Sequence, residues 1–76
     1  MVGAFLLMGV NPGTERKIYS ELKKIKEISL IHEVYGEWDL IAKVDVQNVE
    51  DLDSLVSDKI RTLKDIKFTS TIIIAR

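Results

Sequence analysis

The residues of this chain that could do chemistry gather around one bend near its midpoint, Val34-Tyr35-Gly36-Glu37-Trp38-Asp39-Leu40. Gly36 supplies the backbone freedom a sharp reversal needs. Trp38 and Asp39 set a large aromatic ring and a carboxylate beside it. An apolar segment runs into the bend from Ser29, and a second leaves it towards Val46. The absences matter as much. His32 is the single histidine and there is no cysteine, which removes thiolate zinc sites, cysteine nucleophiles and disulfide staples together. No catalytic residue, metal site or cofactor is expected.

Those groups must be positioned by a small body. Seventy-six residues make one domain, 1–76, with no room for a second core. A chain of this size buries only ~60% of its unfolded surface, so self-association is the expected supplementary stabiliser. Eleven Lys and Arg nearly balance twelve Asp and Glu, which gives no pull towards nucleic acid or an anionic membrane. No apolar run approaches the ~20 residues a membrane-spanning helix needs. The Met1–Val10 stretch is apolar but has no basic flank and runs straight into Asn11-Pro12-Gly13, so a signal peptide is not expected. The expected location is the cytoplasm.

Residues 2–10 are continuously apolar and short, which predicts a strand buried on both faces. Asn11 reads as a helix N-cap with Pro12 at the first helical position. Ile18, Leu22 and Ile25 then recur at helical spacing, with lysines and Arg16 on the remaining face. Glu15 near the start and the lysines near the end complement the helix dipole. Residues 29–35 form the second strand, with Leu30, Ile31 and Val34 as its bulk. Leu40, Ala42, Val44 and Val46 alternate against Ile41, Lys43 and Asp45, the pattern of a strand with one buried face. Asn48, with Asp51 three residues on, opens the second helix, whose inner face reads Val49, Leu52, Val56, Ile60 and Leu63. Ile66 to Ala75 closes the chain as a strand.

The order is β-α-β-β-α-β, an α+β, ferredoxin-like arrangement. Right-handed crossovers place the first and third strands in the middle of a four-stranded antiparallel sheet, with two helices on one face. The other face is then bare, yet the first strand and Ile72-Ile73-Ile74 are apolar on both sides. An exposed patch of that size implies a cover. The expected cover is a second copy, packed sheet to sheet as a homodimer.

With the residues set out, a resemblance emerges. The chain resembles the C-terminal effector module of the leucine-responsive regulator (Lrp/AsnC) family, the regulation of amino-acid metabolism (RAM) domain. The matching pieces are the apolar first strand ending in Val10-Asn11-Pro12-Gly13, the Glu33-to-Leu40 bend, Asp51-Leu52-Asp53-Ser54-Leu55, and Thr69-Ser70-Thr71. Together they span Ala4 to Arg76. DNA-binding members of that family carry a helix-turn-helix domain before this module, and this sequence starts at the module. It therefore resembles a stand-alone version, and direct DNA binding is not carried over.

The resemblance implies binding of a free amino acid or similar metabolite between dimers that assemble into a larger ring, often an octamer (or a decamer). It also implies co-assembly with full-length regulators. The site residues it implies are Gly36, Trp38, Asp39, Thr69 and Thr71. A zwitterion needs donors for its carboxylate and an acceptor for its ammonium. The bend offers backbone amides and Asp39; the last strand offers two hydroxyls on one face by period-two spacing. Each residue also has an ordinary structural use: Gly36 as turn glycine, Trp38 as interface aromatic, Asp39 as partner of the turn backbone, the threonines as strand formers. Two other readings stay open. Asn11-Pro12-Gly13 also resembles the ligand turn of ACT-type amino-acid-binding domains, and the same fold serves small dimeric monooxygenase-like enzymes. An RNA-binding RRM is disfavoured, because the third strand lacks stacking aromatics.

Overall fold

The computed structural model describes all 76 residues. Its elements are β1 (Val2–Val10), α1 (Glu15–Leu22), β2 (Ile28–Glu33), β3 (Leu40–Val46), α2 (Val49–Leu55) and β4 (Ile66–Ile73), with α2 prolonged by one π-helical turn at Val56–Ile60. The four strands form one sheet in the order β2-β3-β1-β4, every neighbouring pair antiparallel. The first and third strands are central, as the crossover rule requires.

Alternation decides what is buried. Ala4, Leu6, Met8 and Val10 of β1, and Leu40, Ala42, Val44 and Val46 of β3, point to one face and meet Ile18 and Leu22 of α1 and Leu52, Leu55 and Ile60 of the second helix. Those 13 side chains are the whole core. Phe5 and Leu7, on the opposite side of β1, are only half-buried. The expectation of a strand buried on both faces therefore holds for one face within the single chain, because both helices lie on the same side. The open face carries Leu30, Lys43, Phe5 and Ile72 in one cross-strand row and His32, Ile41, Leu7 and Ser70 in the next.

Several boundaries differ from the sequence reading, each for a local reason. Asn11 does not cap α1. Gly13 sits at φ 87°, so Asn11-Pro12-Gly13 closes as a turn, with the Asn11 carbonyl accepting from the Thr14 amide at 3.1 Å and its hydroxyl at 2.6 Å. The helix begins only after Thr14 and ends at Leu22, so Lys23, Lys24 and Lys26 lie beyond its last turn. Strand β2 stops at Glu33, and a bulge between Ile28 and Leu30 sends Leu30 to the open face, where it is 51% exposed. By contrast, Asn48 does cap α2, its side chain accepting from the Asp51 amide at 2.8 Å.

The second helix departs from ideal spacing. Leu55 and Ile60 are both buried although five residues apart, an offset that an α-helix of 3.6 residues per turn would place on different sides. The π turn reconciles them, closed by the Arg61 amide on the Val56 carbonyl at 2.8 Å. Val49, expected on the inner face, is instead 48% exposed.

Candidate functional site

The bend is held by one hydrogen bond across its own base and one to β1. The Val34 amide donates to the Asp39 carbonyl at 2.9 Å and closes the loop, while the Asp39 amide donates to the Met8 carbonyl at 2.9 Å. Gly36 sits at φ 128°, and the space a Cβ would occupy there has no neighbour within 4 Å, so the backbone angle alone demands glycine. Tyr35 at the tip is fully exposed.

Asp39 has a structural duty. The β1–β3 ladder ends at the pair Met8 and Leu40, so the Val10 amide, which points to the same side as the Met8 carbonyl, has no strand partner. The Val10 amide donates instead to Oδ2 of Asp39 at 2.9 Å. That bond ties the bend to the end of β1 and fixes the carboxylate. A carboxylate has about four acceptor positions, so Asp39 retains capacity for a ligand. It borders a small cavity of 190 Å³ with Glu15, Glu33, Val34 and Tyr35.

Trp38 lies on the open side. Its ring meets Phe68 edge-on, centroids 5.9 Å apart at 81°, an attractive aromatic geometry. Phe68 in turn lies across Gly9, where an added Cβ would come within 2.2 Å of the ring. The glycine in β1 is thus the seat of an aromatic ring, the close approach that a glycine inside a strand signals.

Thr69 and Thr71 face the other way. They pair with Met8 and Leu6 of β1 and share their helix-covered side. With Asp53, Ser57 and Arg61 of the second helix they line a groove of about 380 Å³, whose apolar wall includes Val56 and Ile73. The five residues implied by the resemblance therefore divide. Gly36, Trp38 and Asp39 belong to the bend, Thr69 and Thr71 to the groove between β4 and the second helix, and neither of these two cavities touches both sets.

The remaining polar clusters are engaged internally. A larger cavity of about 470 Å³ lies at the opposite end of the sheet from the bend, bordered by Glu27, Asp45 and Lys59. Lys59 binds Glu27 at 3.4 Å, and Lys43 binds Asp45 at 3.0 Å. Glu27 is held below the usual carboxylate range by its own backbone amide, with Lys59 adding to the effect; Asp45 is held down by the hydrogen bond from Lys43. Near α1, Asp65 accepts from Lys17 at 2.9 Å and from the Asn11 side chain at 3.2 Å. Asn11, the residue an ACT-type ligand turn would offer, is thus committed to the protein. His32 is exposed on an edge strand, and no three His, Cys, Asp or Glu side chains are grouped to hold a metal ion.

Sequence pattern alone does not single out Phe68 or Gly9, and it marks Arg61 only as a charge near a helix end. Gly9 inside an apolar strand is the available signal for the first two. Nothing in the helical spacing marks Arg61.

Comparison with known proteins bears on this geometry. The profile of the Lrp/AsnC ligand binding domain matches residues 3–76. An uncharacterized HTH-type transcriptional regulator of Pyrococcus abyssi is 33% identical over 73 residues, a match covering 92% of this chain and 49% of the regulator. The chain spans about half the length of the curated relatives it matches. Among solved structures, that of FFRP-DM1 superposes with a TM-score of 0.94 at 42% identity, covering 97% of this chain and 99% of that one. The regulator NMB0573 of Neisseria meningitidis, solved as a complex with L-Met, has a TM-score of 0.91 over 99% of this chain and 50% of its own; at 13% identity it shares the fold.

Proposed function

The chain belongs to the Lrp/AsnC ligand-binding domain family, and from that premise we propose that it is an amino-acid-sensing, oligomerising regulatory module. Its relatives are transcriptional regulators rather than enzymes, so the regulatory role is the family's. The finer reading concerns ligand and assembly. A free amino acid or similar metabolite binds where two subunits meet, between homodimers that pack sheet to sheet. The dimers assemble into a larger ring, and the module acts by co-assembly with full-length regulators of its family.

The observation that carries this reading is the division of the implied site residues. Asp39 and Trp38 stand at the bend, while Thr69 and Thr71 stand in the groove on the helix side. A small zwitterion touching both sets must lie between subunits, with the bend from one and the groove from another. A ligand held that way joins chains as well as occupying them. The amino acid bound in the Neisseria regulator of the same fold supports the ligand class. The open sheet face, with Phe68 55% and Ile72 52% exposed, supports the dimer.

The test is solution mass by light scattering together with thermal stability, each measured alone and with every one of the twenty amino acids. A mass well above a dimer that changes with one amino acid, which also raises the melting temperature, supports the reading. A plain dimer indifferent to all twenty removes the sensing role.

A further inference from the structure

Strand β2 lies at one edge of the sheet, and the two ends of that edge differ in shape and in charge. Where the strand begins, Tyr19 and Lys23 join Ile28, Ser29, Leu30 and Ile31 around a mostly apolar cavity of about 270 Å³. The Lys23 ammonium stands 5.7 Å from the centroid of the Tyr19 ring. The bulge between Ile28 and Leu30 keeps this end from continuing as a regular ladder with another strand. Past the other end stands Tyr35, fully exposed at the tip of the bend. The bend beneath it is firmly placed, with the Val34 amide bonded to Asp39 and the Asp39 amide to Met8, each at 2.9 Å. A bare aromatic ring on a fixed support is suited to anchor a contact, because little freedom is lost on ordering it.

Charge follows the same polarity. Lys23, Lys24 and Lys26 stand just before the strand, and Glu33 and Glu37 at its far end. Of these five only Lys24 is in an ion pair, with Glu21 at 3.8 Å. Turning one such edge end for end against another sets acid on base twice, and a ring on a cavity twice. The opposite edge of the sheet lacks this property. Strand β4 has Lys67 near its start and Arg76 beyond its end, so two copies laid antiparallel there oppose like charges.

Symmetry gives the match a use. A ring of two-fold dimers needs a second contact between dimers, and a surface that complements itself supplies one about a second two-fold axis. The midpoint between Ile28 and Tyr35 falls at Ile31 and His32, where such an axis would cross β2. One ring seated in one cavity is small beside the roughly 1,600 Å² of a standard interface. The contact therefore holds by ring closure, which presents each edge to the next at high effective concentration.

We infer that the outer edge of β2 is the contact between dimers, made antiparallel with the same edge of a second copy of this chain. The Tyr35 ring of each copy fills the other's cavity against Tyr19, Ile28 and Leu30, and Glu33 and Glu37 face Lys23 and Lys26. This rests on the proposed assembly of dimers into a ring and names the surface that builds it. Trp38 and Asp39, at the base of the bend, take no part in it.

The experiment is solution mass by light scattering at one protein concentration. It compares the intact wild type, Tyr35→Ala, Lys23→Glu/Lys26→Glu, Glu33→Lys/Glu37→Lys and the chain carrying all four charge changes. Every substituted side chain is exposed, and melting curves show which variants are folded. The wild type is expected well above a dimer. Tyr35→Ala and each charge pair bring the mass down to that of a dimer, because the open sheet face is untouched. The fourfold charge variant regains the wild-type mass, since both ends of the edge are inverted together, and it decides the matter even where Tyr35→Ala does not fold. Wild-type mass in Tyr35→Ala, or no recovery in the fourfold variant, overturns the assignment and leaves ring assembly standing. A single-chain mass in Tyr35→Ala overturns it too, by placing Tyr35 in the sheet-to-sheet contact. A wild type that is a plain dimer overturns ring assembly and this contact together, while amino-acid sensing is judged separately by the melting temperature.

Discussion

The two faces of the sheet are made from the same strands with much the same side chains, yet they do different work. On the helix side, Ala4, Leu6, Met8, Leu40, Ala42 and Val44 are at most 1% exposed. On the open side, Phe5, Leu7 and Ile41 are half covered, and Phe68 and Ile72 are more than half exposed. Strand periodicity assigns residues to faces; only the placement of the helices decides which face becomes a core. One face supplies the folding free energy of the chain, and the other leaves apolar area uncovered. The open face is also graded along its length. The Lys43–Asp45 ion pair stands at one end and the Trp38–Phe68 pair at the other, next to the bend.

That division predicts a graded set of substitution effects. The largest belongs to the covered face. Leu6→Ala empties a fully buried position and is expected to cost about 2–5 kcal/mol of unfolding free energy, read from urea denaturation. A loss under about 1 kcal/mol would mean that this face is not the core. Next is the helix that covers it. Asn48→Ala removes the side-chain cap and is expected to cost about 1 kcal/mol in the same assay. On the open face the order of effects reverses. Ile72→Lys is expected to change the folding free energy of dilute protein by no more than about 0.5 kcal/mol, while reducing the solution mass to that of a single chain. Unchanged mass would remove the open face from the dimer.

The smallest effect is electrostatic. The hydrogen bond from Lys17, then that from Asn11, holds Asp65 below the ordinary aspartate value of 3.8. Ionised Asp65 therefore stabilises the fold above that value, and the contribution is lost as pH falls through the lowered folded value. Asp65→Asn is expected to lower the melting temperature slightly at neutral pH and to flatten its fall below about pH 4, with the neutral-pH loss smaller at high salt. Identical acid profiles for the variant and wild type would contradict the shift.

The fold is legible in the sequence where its signals are local. The alternation from Leu40 to Val46 announces a half-buried strand, and Asn48 with Asp51 announces a cap; both stand in the structure. Where a local signal has a rival, it misleads. Asn11-Pro12 resembles a helix start, but the positive φ of Gly13 closes a separate turn first. The π turn leaves no local mark either, since a five-residue offset between Leu55 and Ile60 belongs to no regular helical pattern.

The candidate site is legible only in part, because its contacts span the chain. The bond between Asp39 and the Val10 amide joins residues 29 apart, and the seat of Phe68 on Gly9 depends on strand register. Period-two spacing places Thr69 and Thr71 on one face. It does not say that this face is the helix side, because that follows from pairing with Met8 and Leu6. Arg61 draws notice for its charge alone, since its place in the groove follows from the π turn.

The antiparallel pairing of β1 with β4 has one more consequence. Ala4 lies opposite Ile73, and the Ile74 amide donates to the Gly3 carbonyl at 2.8 Å. The two chain ends are therefore neighbours, while the bend sits beside Met8 at the far end of the sheet, about 17 Å from Gly3 along β1. In engineering terms the module is a cassette. A polypeptide can be attached at either end, or the ends joined by a short linker and the chain reopened near Gly36, with all four strands and both helices left whole.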